Sequence, residues 1–487
     1  MPPLVAVTLT KLALMIGTSL VVLLAVRSSR ARVAGRRLDA CFVVLAVLAL
    51  FTYSHFGLFH HPRGFVHGWE MFNYYFPTKY SAELGYDGLY GAALAADADS
   101  PSPYWSALRT ARDLRTNRVV PAEDLRGDPS FRARFSAERW QEFQRDLAYI
   151  QPNYRVGAWN GPFHDRGYNA PPTRTLFAAP VTWVLGPLDF ASMQTIALLD
   201  VLLLALLLIG VQRTFGLRTT CLVGIVLGTS SLGSFDWIGG SFLRLDWLLP
   251  LGLGVCALAT GRYALAGALL GASATMRVFP GLFALAVLGR GAVVAWQTRS
   301  LPPRYAAFGA SLAATCAALG LASLALPGGV EAWSEWYGKI TDHAGTVFAN
   351  HMGLAALGGP AWLLVAGRIA LALLVAVSLT RADDVQAALL GGVLVYAFGF
   401  IAGYYYIFLM LYALWLYPPR AELRSWLLVT ALLLPSATEI AARGVMSPFV
   451  AASIAVLPAW GLLFEQLWRT PSERGVGSGV ASARSNR

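Results

Sequence analysis

Charge is what this chain has least of. Asp, Glu, Lys and Arg together make up only 13% of its 487 residues, whereas 56% are hydrophobic. With a mean hydropathy of +0.53, the chain carries more apolar surface than a water-soluble fold can bury, and a polytopic membrane protein is the class that remains. Acidic residues are the scarcer sign, 27 against 38 basic ones. The basic excess is scattered over short loops rather than gathered on one patch with interleaved aromatics, which excludes a nucleic-acid partner. Cysteine is also sparse: Cys41, Cys221, Cys256 and Cys316 fall in or beside apolar segments, and the long polar stretch 60–172 has none. No disulfide framework is implied, and the four read as small core residues. Repeats of the inverted transporter kind are missing as well.

Apolar runs are what the chain has in abundance. At about 20 residues per span, helices are expected near 9–26, 41–59, 191–211, 219–236, 243–260, 263–278, 280–297, 305–326, 361–380, 386–403, 405–418, 425–442 and 447–467, about thirteen in all. The first is read as a retained helix rather than a signal peptide, because Arg27, Arg30, Arg32, Arg36 and Arg37 follow it and resist translocation. Alternation then puts Arg213, Arg218, Arg262, Arg299, Arg304, Arg381, Arg420, Arg424 and Arg469 on the side of that first cluster. That side is therefore expected to be cytoplasmic, with the N-terminus outside and the C-terminus inside. The organisation expected is two N-terminal helices in 1–59, an extracytoplasmic loop in 60–190, a bundle in 191–469 with an outward loop at 327–359, and a disordered tail at 470–487. The interfacial helices of the large loop include one over 129–150, with Asp128 as N-cap and Pro129 at the first position, and a second over 175–188 broken by Pro180 and Pro187.

The polar residue types with chemical use collect in the outward loops. Glu70 opens Trp69-Glu70-Met71-Phe72-Asn73-Tyr74-Tyr75 just past a long apolar helix, followed by GYDGLY at 85–90 and GYNAPP at 167–172. GGSFLRLDW at 239–247, MRVFPGL at 276–282 and FANHMGL at 348–354 come later. In this order the motifs resemble the GT-C superfamily of integral-membrane glycosyltransferases, and most closely glycosyltransferase family 87, which uses polyprenyl-phosphate-mannose. The resemblance runs from about 60 to 415. It departs from the family pattern at Glu70, where Asp is usual, at Arg277, where Lys is usual, and in one extra leading helix.

The resemblance implies an all-α GT-C-type bundle in a bacterial-type cytoplasmic membrane. It implies transfer of one sugar, with inversion, from a polyprenyl-phosphate donor to a glycolipid or glycan acceptor. An acceptor hydroxyl needs a carboxylate to take its proton, and Glu70 is the candidate, with Asp87 and Asp165 as competitors. The ordinary alternative for Glu70 is an exposed acid paired with Lys79 or Arg63; for Asp87 it is a turn residue. Arg277, Arg244 and Lys339 are the candidate cations for the donor phosphate, Arg244 having a local pair with Asp246 as its plain alternative. Substrate contacts are expected from His60, His61, His67, Tyr74, Tyr75, Lys79, Tyr90, Tyr168, Asn169, His343, Asn350 and His351. The histidine run has no metal-ligand spacing, so no metal or other cofactor is indicated. The competing readings are a transporter or flippase of lipid-linked saccharides and a non-catalytic envelope scaffold.

Overall fold

The computed structural model describes residues 2–28, 35–60, 64–153, 159–344, 346, 348–417 and 423–469. Helix dominates, and seven helices among the described residues are long and apolar enough to cross a membrane: Val5–Arg27, Phe190–Thr229, Gly281–Thr298, Pro303–Ser323, Ala361–Ser378, Leu423–Ala442 and Pro448–Arg469. The first shows the rule the others follow. Val7, Leu14, Met15 and Val22 are buried, while Val5, Leu9, Ile16, Leu20 and Leu24 are exposed along the other side. A helix apolar on both its packed and its open face needs an apolar solvent. Several such helices mark a multi-pass membrane protein.

The expected spans meet the structure with informative differences. The two expected at 191–211 and 219–236 are one element, Phe190–Thr229, interrupted at Gly216, whose φ of 77° and ψ of 178° are not helical. Straight, 40 residues would extend about 60 Å, roughly twice the hydrocarbon core of a bilayer. Four expected spans are shorter than a crossing requires: Leu248–Ala259, Tyr263–Met276, Asp384–Phe398 and the 3₁₀ stretch Gly403–Leu416. At 1.5 Å per residue the 15-residue helix reaches only about 22 Å. The last expected span divides into Pro448–Ala455 and Leu457–Arg469.

The first polar loop differs most from expectation. Rather than single helices laid on a surface, it has a core of its own, in which Phe72, Trp105, Trp159 and Phe163 pack with ring centroids 4.9–6.2 Å apart. Tyr90 stacks on Phe72 at 5.9 Å. Aromatics spaced widely in sequence thus do the work that aliphatic runs do elsewhere. The expected 129–150 helix is two, Pro129–Ala133 and Ala137–Ile150. Asp128 caps the first as expected, accepting from the Ser130 amide at 2.9 Å, and Ser136 restarts the second by accepting from the Arg139 amide. A hairpin of Thr110–Asp113 with Arg118–Pro121 was not expected from the sequence. The helix Pro172–Leu185 does contain Pro180. The tail 470–487, apart from this, lies outside the described residues.

Candidate functional site

Three segments far apart in sequence converge on the ring of Tyr74. His67 starts the first of them. Its Nδ1 accepts from the Glu70 amide at 3.3 Å, and its Nε2 lies 3.0 Å from the Asp236 carbonyl, so the neutral tautomer with the proton on Nε2 satisfies both. After Glu70 the chain widens into a π-helical turn, Met71–Tyr75. Such turns re-aim side chains relative to an ordinary helix and recur at functional sites. Here Asn73 bridges Tyr90 and Asp165, accepting from the Tyr90 hydroxyl at 2.9 Å and donating to Asp165 Oδ2 at 3.2 Å. The Tyr74 hydroxyl donates to Asn169 Oδ1 at 2.8 Å.

The segment 239–247 supplies the second wall. Gly240 has φ +65° and carries no room for a side chain, since a Cβ there would stand 1.8 Å from the Phe65 carbonyl oxygen. Leu243 is held at φ 51°, unusual for a bulky residue and typical of backbone fixed by its surroundings. The fixing group is Asp200, buried in the long helix, which accepts from the amides of Arg244 and Leu245 at 2.9 Å each. The Arg244 guanidinium is thereby placed 4.0 Å above the Tyr74 ring, with Tyr404 and Tyr405 at 5.1 and 5.8 Å. Its Nε lies 2.7 Å from Glu70 Oε2, side chains 1% and 13% exposed. The approach is an ion contact whose geometry fits no hydrogen bond, and Glu70 Oε2 and Arg244 Nε and Nη1 all lack a hydrogen-bond partner.

Arg277, at the end of Tyr263–Met276, forms the third wall, its guanidinium 5.8 Å from the Tyr74 ring. It is 5% exposed, and among the described residues it pairs with no carboxylate. Nη1 donates to the Met276 carbonyl at 2.7 Å and the Tyr405 hydroxyl stands beside the guanidinium, while Nε and Nη2 have no well-formed hydrogen bond, and neither does the buried Ser241 hydroxyl. Burial pushes the Glu70 carboxyl above the ordinary carboxylate range, while Arg244 and then Arg277 and Arg174 draw it back. An acid and two cations with unfilled hydrogen-bonding capacity therefore meet in one dry place. Such an arrangement can accept a proton and hold an anion at neighbouring points.

A fourth residue organises this site and was missed by the sequence reading. Arg174 is fully buried; Nε donates to Asp246 at 2.9 Å, and Nη2 donates to the Phe242 carbonyl at 2.7 Å. Nη1 reaches Thr78 and Tyr168, and the guanidinium stands 5.2 Å from the Tyr74 ring. The Asp246 carboxylate offered to Arg244 in sequence belongs instead to Arg174, and Arg244 turns to Glu70. An arginine inside the apolar stretch that follows GYNAPP was the available signal. Tyr404 and Tyr405, in the Gly-Tyr-Tyr-Tyr run at 403–406, were missed too, being read as part of a span.

The other candidates are distributed unevenly. Asp165 is close, yet its carboxylate is occupied by Trp69 Nε1, Asn73 Nδ2 and the Arg166 amide. Asp87 is elsewhere, in a partly exposed pair with Arg134 at 2.6 Å. Lys79 is a buried structural cation between Asp146 and Glu142 at 2.6 and 2.9 Å, so it is neither Glu70's partner nor part of the convergence. Tyr75 and Tyr90 are core residues. Tyr168 lies against Tyr74, ring centroids 5.5 Å apart, and Asn169 takes the Tyr74 hydroxyl. His60 fastens loop to loop, Nε2 to the Gly239 carbonyl at 2.8 Å. Lys339 donates to the Tyr86 carbonyl at 2.6 Å, away from Arg244 and Arg277, and burial lowers its pKa to about 8. His351 sits between the rings of Phe348 and Phe400, and Asn350 contributes its carbonyl to the Gly403 amide. His61 and Arg63 lie outside the described residues, as does the side chain of His343.

No family model matches this chain, and neither a curated protein nor a solved structure matches it.

Proposed function

We propose that the protein is a membrane glycosyltransferase of GT-C type that moves a single sugar from a polyprenyl-phosphate donor to a glycolipid or glycan acceptor. One observation carries the reading. Glu70, Arg244 and Arg277 gather about Tyr74 with buried polar atoms left unfilled. Leaving a guanidinium buried without a carboxylate costs several kcal/mol. A ligand anion removes that cost, and a phosphate offers the oxygens that Nε and Nη2 of Arg277 lack.

In this reading the acceptor hydroxyl attacks the anomeric carbon and forms the new C–O bond as the bond to the phosphate oxygen breaks, with inversion. Glu70 takes the hydroxyl proton. Its raised pKa brings it nearer neutrality, where a general base is most effective. The electron pair of the broken bond leaves on the lipid phosphate, where Arg277 and Arg244 neutralise it. Mannose and arabinose are the sugars to try first, by analogy alone. The arginine asymmetry of the loops supports a multi-span bundle in a bacterial-type cytoplasmic membrane with the site facing outward. The short helices Leu248–Ala259 and Tyr263–Met276 would then enter the bilayer without crossing it.

Glu70→Gln tests the assignment, because it keeps shape and removes the basic charge. Transfer from polyprenyl-phosphate-mannose or polyprenyl-phosphate-arabinose should fall by about 10²-fold or more with the fold retained. Transfer near the wild-type rate would remove Glu70 as the base.

A further inference from the structure

A cavity lies near the convergence on Tyr74, between the Gly85–Asp87 turn and the amphipathic helix Gly329–Ala344. Its volume is about 330 Å³, within the lower part of the roughly 300–1,000 Å³ that small-ligand sites occupy. One wall is the aromatic pair Tyr86 and Tyr168, ring centroids 5.5 Å apart, continued by Pro172. The opposite wall is the first half of the helix, including Glu331, Ala332 and Glu335. The helix is keyed to the same motifs as the site: Trp336 Nε1 donates to the Asn169 carbonyl at 3.2 Å, and the Tyr86 amide donates to Glu335 Oε2 at 3.3 Å.

The charges of this cavity are unequally used. Asp87 is paired with Arg134 at 2.6 Å and Glu83 with Arg139 at 2.6 Å. Glu335 has the single hydrogen bond from Tyr86, and the Glu331 carboxylate has no partner among the described residues. What remains is hydrogen-bond acceptors on one side, the donors of Arg134 at the edge and ring carbon on the other. An anion is repelled by the free carboxylates, and a hydrocarbon chain makes no use of these solvent-facing acceptors. A hydroxyl-rich ring satisfies all three: hydroxyls donate to Glu331 and Glu335, accept from Arg134, and the C–H face rests on tyrosine. Tyr168 also contacts Tyr74, ring centroids 5.5 Å apart, so two rings, Tyr168 and then Tyr74, lie between the cavity and the cations of the Glu70 site.

We propose that this cavity binds a neutral saccharide unit, and that it holds a part of the acceptor glycan remote from the reacting hydroxyl. The second clause rests on the transferase reading; the first does not.

The full-length protein in detergent, probed by saturation-transfer NMR with neutral mannose and arabinose disaccharides, tests both. Glucosamine serves as a cationic probe and inorganic phosphate as an anionic one. A neutral disaccharide should bind, and Glu331→Gln with Glu335→Gln should weaken it by at least about tenfold, the scale of a lost hydrogen bond to charge. Ala332→Trp, which fills the cavity without touching a carboxylate, should abolish the signal in a protein whose melting temperature is unchanged. Binding should persist in Glu70→Gln. No disaccharide signal, a signal only from glucosamine or phosphate, or a disaccharide signal surviving both cavity variants would each overturn the proposal. If saccharide binding obeys these variants while Glu70→Gln transfers sugar normally, the cavity stands and the base assignment falls.

Discussion

Two buried arginines, Arg174 and Arg277, lie 5.2 and 5.8 Å from the centroid of the Tyr74 ring, and they live in opposite circumstances. Arg174 has every direction of its guanidinium answered by Asp246, two backbone carbonyls, Thr78 and Tyr168. Arg277 has one carbonyl and no carboxylate. Their burial is nearly the same, so burial alone does not separate structural from functional cations; the difference is in what is left unsatisfied. A completed network fixes a fold. An incomplete one, kept dry by its neighbours, is a place where a ligand supplies the missing partner.

The comparison breaks first at Arg174. Arg174→Ala strands Asp246 in the interior and releases the 242–246 segment, and breaking a buried pair in this way costs about 3–5 kcal/mol. A large drop in melting temperature or loss of purifiable protein is expected. A variant melting like wild type would mean that the network is not holding the segment.

Arg277→Ala should behave in the reverse manner. Removing a cation with no carboxylate leaves no orphan and relieves its desolvation cost, so the protein is expected to fold and to melt at or above the wild-type temperature. It should, however, lose the thermal stabilisation given by a polyprenyl-phosphate analogue, and Arg277→Lys should recover part of it. A folded Arg277→Ala protein stabilised by the analogue as strongly as wild type would end the phosphate assignment.

A pH profile sharpens the contrast further. If Glu70 is the base of the proposed transfer, it acts only when ionised, so transfer should fall as pH drops through its raised pKa. Arg244 is the largest influence lowering that pKa. Arg244→Gln should therefore shift the acid limb of kcat/KM to higher pH. A limb unmoved in Arg244→Gln would show that the 2.7 Å contact does not persist in the working enzyme.

The smallest effect belongs to Asp87. Its pair with Arg134 is partly exposed, side chains 28% and 33%, and such pairs contribute about 0.2–1 kcal/mol. Asp87→Asn should change melting temperature little and leave sugar transfer within a few-fold. A drop like that of Glu70→Gln would return Asp87 to candidacy.

Much of this molecule was legible in one dimension. Almost every apolar run became a helix near the expected bounds, since apolar surface must be buried in protein or lipid and a helix satisfies its own backbone while doing so. Asp128 and Pro129 announced a helix start because a cap is a local arrangement of neighbouring residues. Glu70, Arg244 and Arg277 were singled out because polar groups beside apolar runs are costly and rare. The aromatic core of the first loop escaped notice because its members are scattered and no period links Phe72 to Trp105 or Trp159.

Composition and periodicity by themselves determined a helical chain made for a membrane and a short roster of polar residues too expensive to be incidental. Only the tertiary structure decided who meets whom. Sequence proximity offered Asp246 to Arg244, yet Asp200 holds the Arg244 and Leu245 amides, Arg174 takes Asp246, and Arg244 is delivered to Glu70. The same convergence leaves Arg277 without a carboxylate. Ion pairing acts over a few ångströms with no regard to position along the chain. Which charge is satisfied and which is left waiting is therefore settled where segments cross, not where they are written.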